Sequence, residues 1–239
     1  MTGTMQLVPV LDLKGGVVVH ARRGQRAAYA PLRSPLVEGC EPVAVARALC
    51  AAARTTRLYV ADLDALAGGL VDLPALSALA EVAELWVDAG ATTEERAAAL
   101  ARAGVSGNVL GTESLGPEDP DERALAAPAP RRVLSVDLRD GKLVSARPEL
   151  AGRPPAAAAP LAEALGAREV LVIDLARVGS GSGPPLRAVA ELAVALPELA
   201  IYAGGGVRDE QDLRALESAG ATGALVATAL HEGRLGLTP

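Results

Sequence analysis

The 239-residue chain contains no phenylalanine, one tryptophan and three tyrosines. With so few rings to stack on bases, and a formal net charge of −6, it lacks the basic, aromatic face that holds nucleic acid. Histidine is also scarce. His20 and His231 are the only two, which gives little support to a histidine metal cage or a serine–histidine triad. The two cysteines, Cys40 and Cys50, form no C-x-x-C pair and are expected to be free thiols in a reducing compartment. No apolar run approaches the ~18 residues of a membrane span, and residues 1–13 lack the basic and apolar regions of a secretion signal. The expectation is a soluble, cytoplasmic protein, monomeric or a small homo-oligomer, that binds neither nucleic acid nor membrane.

What the chain does have is a phrase written twice. VPVLDLKGGVVVHARRG at residues 8–24 and VLSVDLRDGKLVSARPE at 133–149 share an apolar run, Asp-Leu, a basic residue, glycine, a second apolar run and Ala-Arg. Eight β-like runs alternate with alanine-rich helical stretches: QLVPVLD, RLYVADLD, ELWVDAG, GNVLGTE, RVLSVDL, EVLVIDL, AIYAGGG and GALVAT. The first four answer the last four in order, and the spacing from Gly90 to Gly206 equals that from Gly111 to Ala227. Helices are expected at 41–54, 73–82, 93–103 and 209–219. The last two carry acids in their first turns and are followed by Gly104 and Gly220. Residues 116–130, rich in proline and charge, read as a short helix and linker. The fold expected is one domain over 1–239, an α/β protein of the closed (β/α)8 TIM-barrel type, built from half-barrels at about 6–115 and 131–235. A doubly wound open sheet fits the same alternation less well.

In such barrels the chemistry sits at the C-terminal ends of the strands. Asp12 would close the first strand and Asp137 the fifth, opposite each other across the mouth. One can serve as general base and the other, protonated through burial, as general acid; the bland alternative is that each caps a loop. Gly204, Gly205 and Gly206, followed by a helix start, suit a phosphate, with Ala227 and Thr228 as the adjoining wall. Gly111 and Thr112 stand at the mirror position and could hold a second anion. Gly179 and Ser180 lie in a glycine- and serine-rich loop expected to close over the site and join the phosphate contacts. His20, Arg22, Arg23, Arg26 and Arg33 crowd one loop, either as an anion funnel, with Arg22 and Arg23 touching substrate, or as a solvated stretch. Asp88 and Asp174 are further candidate substrate contacts, while Asp62 and Asp64 read as structural. No Gly-x-Ser-x-Gly elbow or Walker loop is present, and no metal is called for.

Together, VPVLDL with Asp12, ADLD at 61–64, GTES at 111–114, SVDLRDGK with Asp137, the triple-glycine turn and ALHEG at 229–233 resemble the histidine-biosynthesis barrels. That family includes ProFAR isomerase and the cyclase of imidazole glycerol phosphate synthase. The resemblance implies a phosphorylated small-molecule substrate and an Amadori rearrangement of an aminoaldose to an aminoketose, without metal or organic cofactor. By position, Asp12 would move the sugar C2′ proton and Asp137 would open the ring. Several positions depart from the family pattern. Ile173 replaces a threonine, Val178 replaces an acid, His20 stands for an arginine, and residues 88–92 read Asp-Ala-Gly-Ala-Thr instead of Gly-Gly-Gly-Ile-Arg. These departures keep two alternatives open. One is a related isomerase or lyase on a smaller monophosphate in one-carbon (pterin or furan) cofactor synthesis. The other is a barrel that binds a phosphometabolite without turning it over.

Overall fold

The computed structural model describes residues 5–21, 25–116 and 130–235. Eight parallel strands form its centre: β1 (Gln6–Lys14), β4 (Arg57–Asp62), β5 (Glu84–Asp88), β6 (Gly107–Gly111), β7 (Arg131–Arg139), β9 (Glu169–Asp174), β10 (Ala200–Gly204) and β11 (Gly223–Val226). They are the eight runs read from the sequence. Helices cover their outer face and side chains fill their inner face, so most read as nearly continuous apolar stretches. The sheet closes on itself where β11 pairs with β1, from Gln6 opposite Gly223 to Pro9 opposite Val226. That pairing establishes the barrel over the open sheet.

Helices α1 (Pro42–Ala53), α3 (Leu73–Ala80), α4 (Glu94–Arg102) and α7 (Glu210–Ser218) lie where the spacing places them. The short helices α2 (Leu63–Leu66), α5 (Ala159–Ala164) and α8 (Thr228–His231), with the longer α6 (Leu186–Ala195), complete the set described. Thr93 caps α4 by accepting from the Arg96 N–H, and Asp209 caps α7 by accepting from Gln211 and Asp212. The helix and linker expected within 116–130 fall largely on residues 117–129, outside the described residues. So do Arg22 and Arg23.

The duplication is visible in the register. Asp12 lies opposite Ala61 and Leu13 opposite Asp62, while Asp137 lies opposite Ile173 and Leu138 opposite Asp174. Ala61 in turn faces Asp88, and Ile173 faces Gly204. Trp86 and Tyr202 occupy matching places and meet inside the barrel, ring centroids 4.9 Å apart at 87°. Each ring lies over a glycine of the next strand. A Cβ on Gly107 would come 2.5 Å from the Trp86 ring, and one on Gly223 2.6 Å from the Tyr202 ring. The Arg57 guanidinium covers Trp86 at 4.5 Å.

The repeated phrase continues beyond each first strand as a hairpin. β1 turns into β2 (Val17–His20), which pairs with β3 (Ala30–Pro31), and β7 turns into β8 (Lys142–Leu143). Both turns have two successive positive φ values, 59° and 75° at Gly15-Gly16 and 53° and 75° at Asp140-Gly141. This is the two-residue connection that matches strand twist.

Candidate active site

The C-terminal ends of the strands open into one cavity bordered by both halves of the barrel. Asp12 and Asp137 both line it, together with Asp88, Glu113, Arg26, Tyr59 and the Gly204–Gly206 turn. Asp137 is only 4% exposed. Its Oδ1 accepts from Ser135 Oγ at 2.8 Å, and its Oδ2 accepts from the Glu113 N–H at 3.2 Å. Burial, then the Glu113 and Asp88 charges, push its pKa up to about 8 against those hydrogen bonds. Asp12 keeps part of its surface open to the cavity. Desolvation nevertheless raises it to about 7, with Arg26 pulling the other way.

Asp88 is the third raised carboxyl, at about 7, because it is buried and faces Glu113. Tyr59 Oη donates to its Oδ2 at 3.4 Å, and the Gly90 N–H donates to its Oδ1 at 3.4 Å. A Cβ on Gly111 would stand 2.8 Å from Asp137 Oδ2 and 3.7 Å from Asp88 Oδ2. The Asp137 carboxyl therefore requires the glycine, and Asp88 lies within ordinary contact of the same position. Arg26, in the 3-10 turn Arg26–Ala28, reaches in to pair with Glu113, and Lys14 Nζ donates to the Arg26 carbonyl. Of the basic loop read as an anion funnel, Arg26 and His20 border the cavity among the described residues. Sequence reasoning did not single out Glu113 or Tyr59.

On the opposite side, Gly204, Gly205, Gly206, Gly179, Ala227 and Thr228 all border the cavity, as expected of a phosphate cradle. Gly205 and Gly206 have φ of 94° and 83°, which turns successive N–H groups toward one side. No side chain fits there. A Cβ on Gly205 would lie 2.8 Å from the Asp174 carbonyl, and one on Gly206 2.5 Å from that of Gly183. The loop expected to close over the site is stitched to this turn. Gly183 N–H donates to the Gly206 carbonyl, and Arg177 Nη1 donates to the carbonyls of Ser182 and Gly183. His231 completes the wall, with Nδ1 2.8 Å from Ser34 Oγ. Burial and His20 push its pKa down to about 4, so the ring is neutral.

Four of the expected contacts are engaged elsewhere in the structure. Ser180 does not border the cavity; its hydroxyl donates to the Arg177 carbonyl and contacts Ser182 Oγ within its own loop. Thr112 is fully buried, donates to the Val144 carbonyl and accepts from the Asp137 N–H, so it braces Asp137 and offers nothing to an anion. Gly111 faces carboxylates rather than an anion pocket. Asp174 serves the fold: its carboxylate accepts from the N–H groups of Asp140, Gly141 and Ala176 and pairs with Arg177. In the first half the corresponding turn is held from a different position, Asp64, whose Oδ2 accepts from the Gly15 N–H at 2.6 Å. Asp62 accepts from Ala65 and Asp72 and is structural, as read. Among the described residues no group of three or more His, Cys, Asp or Glu is arranged to hold a metal ion.

A family model described as "Histidine biosynthesis protein" matches residues 6–236. The chain is 37% identical to a relative from Rubrobacter xylanophilus over 95% of this chain and 91% of that one. It is 32% identical to one from Acidithiobacillus ferrooxidans over 97% and 96%. A third, from Halobacterium salinarum, is 31% identical over 97% and 93%. All three are named 1-(5-phosphoribosyl)-5-((5-phosphoribosylamino)methylideneamino)imidazole-4-carboxamide isomerase.

Proposed function

The chain belongs to the histidine biosynthesis family, and from that membership we propose that it is an isomerase converting a phosphorylated aminoaldose to the aminoketose by an Amadori-type rearrangement. The observation that carries this reading is a pair of carboxyl groups, Asp12 on β1 and Asp137 on β7, raised to about 7 and about 8 in one cavity with a glycine phosphate cradle. Near neutral pH Asp137 is mainly protonated and Asp12 substantially ionised. That order suits Asp137 to the acid role and Asp12 to the base role.

The chemistry follows from that division. With the phosphoryl group held at Gly204–Gly206, Asp137 gives its proton to the ring oxygen while the amine nitrogen forms a double bond to C1, opening the ring to an iminium. Asp12 takes the proton from C2, and the electron pair flows to nitrogen as the enolamine. Protonation at C1 and loss of the C2 hydroxyl proton then give the ketone. The iminium nitrogen is the electron sink. A barrel that only bound phosphate would have the same cradle but would leave two desolvated carboxyls unexplained.

The test is turnover of the relatives' compound and of smaller aminosugar phosphates, followed by absorbance or product analysis. Asp12→Asn and Asp137→Asn should each lose a factor of ~10²–10⁴ in kcat. Activity that survives in both variants would remove the reading.

A further inference from the structure

The two halves of the barrel do not treat anions alike, although the ends of their strands correspond in register. Register places Asp88 in the first half where Gly204 stands in the second, since Ala61 faces the one and Ile173 the other. We infer that Asp88 is a specificity-determining residue that restricts the cavity to a substrate with a single phosphoryl group, bound at Gly204–Gly206, whose far end carries no second anion. This rests on the phosphate role given to that turn above.

Three features separate the first-half turn from its counterpart. Ala89 occupies the place of Gly205, and it is not among the described residues with positive φ, whereas Gly205 sits at 94°. Paired positive-φ glycines that turn successive N–H groups toward an anion are therefore lost. The remaining glycine, Gly90, has φ 57°, but its N–H already donates to Asp88 Oδ1. The protein's own carboxylate thus fills the position an incoming anion would take. The surroundings add negative charge: Glu113 raises Asp88, and Arg26, which acts on Asp88 in the opposite sense, is paired with Glu113. Arg96, on α4, donates to the Gly90 carbonyl and is not among the residues bordering the cavity. A second phosphoryl group at this end would meet the Asp88 carboxylate, and the Gly90 N–H that would receive it is already engaged.

The relatives are named for a compound with two phosphoribosyl groups, so the contrast can be measured directly. Calorimetric titration should use that compound and the two derivatives that each lack one phosphoryl group. These probes differ from the parent only in the group at issue. Wild-type protein is expected to bind the better of the two derivatives at least as tightly as the parent. Asp88→Gly, which restores the residue found at position 204, should favour the parent by at least tenfold over that derivative. Asp88→Asn, of the same shape, should move the preference in the same direction, and circular dichroism verifies that both variants are folded. A wild-type preference of tenfold or more for the doubly phosphorylated parent, or a ratio unmoved in both folded variants, would overturn the inference. Binding is read without turnover. Failure of the isomerase reading therefore shows as silence in the activity assay, whatever the binding ratio.

Discussion

At Gly111 a single missing methyl group makes room for the Asp137 carboxyl, with that of Asp88 beside it. Keeping both buried carries a stability cost whose size depends on pH. A free aspartate titrates near 3.9, whereas Asp88 titrates at about 7 in the folded chain. Between those values the folded state holds the proton more firmly than the unfolded state. Stability therefore falls as pH rises through this window, and the penalty is complete above about 7. Asp88→Asn cannot ionise and escapes it. The variant should unfold at higher urea than wild type at pH 8.5, by a few kcal/mol in order of magnitude, and show little difference at pH 4. An equal gain at both pH values would trace the effect to packing instead of charge. Asp12 and Asp137 were legible in the sequence because the chain states them twice. Glu113 and Tyr59 were not, because their counterparts by internal alignment are Ala229 and Leu171, and a reading built on duplication passes over residues present in one half alone.

At the level of elements, the two hairpins show where duplicated backbone is held by different side chains. The Gly-Gly and Asp-Gly steps between apolar runs are a hairpin signal. The repeated phrase nevertheless reads as strand plus loop until β2 and β8 are seen. Asp174 was expected to meet substrate, and what sequence could not show is that its carboxylate is already occupied by three N–H groups. It is 1% exposed, and its removal leaves three part-buried N–H groups without their acceptor. Asp174→Ala should cost roughly 2–4 kcal/mol and release the amides of Asp140 and Gly141 to hydrogen exchange. A stability loss with those two amides still protected would place its cause elsewhere, for instance in the lost pairing with Arg177.

For the whole molecule, closure of the ring brings together two carboxyl groups, Asp12 and Asp137, that belong to different halves. The alternation of runs made the barrel legible, and the matched order made the duplication legible. The asymmetry within the mouth was harder to read, because it depends on which side chains already satisfy the backbone at Gly90 and Asp140. Asp12 must be ionised to take a proton, and that form is lost as pH falls through about 7. Asp137 must be protonated to give one, and that form is lost as pH rises through about 8. The pH profile of kcat/KM should be a bell with its maximum near 7.5 and limbs set by the free protein. Asp137→Asn should keep the acid limb in its residual activity and lose the alkaline one, because only the alkaline limb reports the group removed. A wild-type profile flat from pH 6 to 9 would mean that neither carboxyl moves a proton in the step that limits the rate. An alkaline limb that persists in Asp137→Asn would assign the acid to another group, and Asp88, crowded over the same glycine, would be the first to exchange.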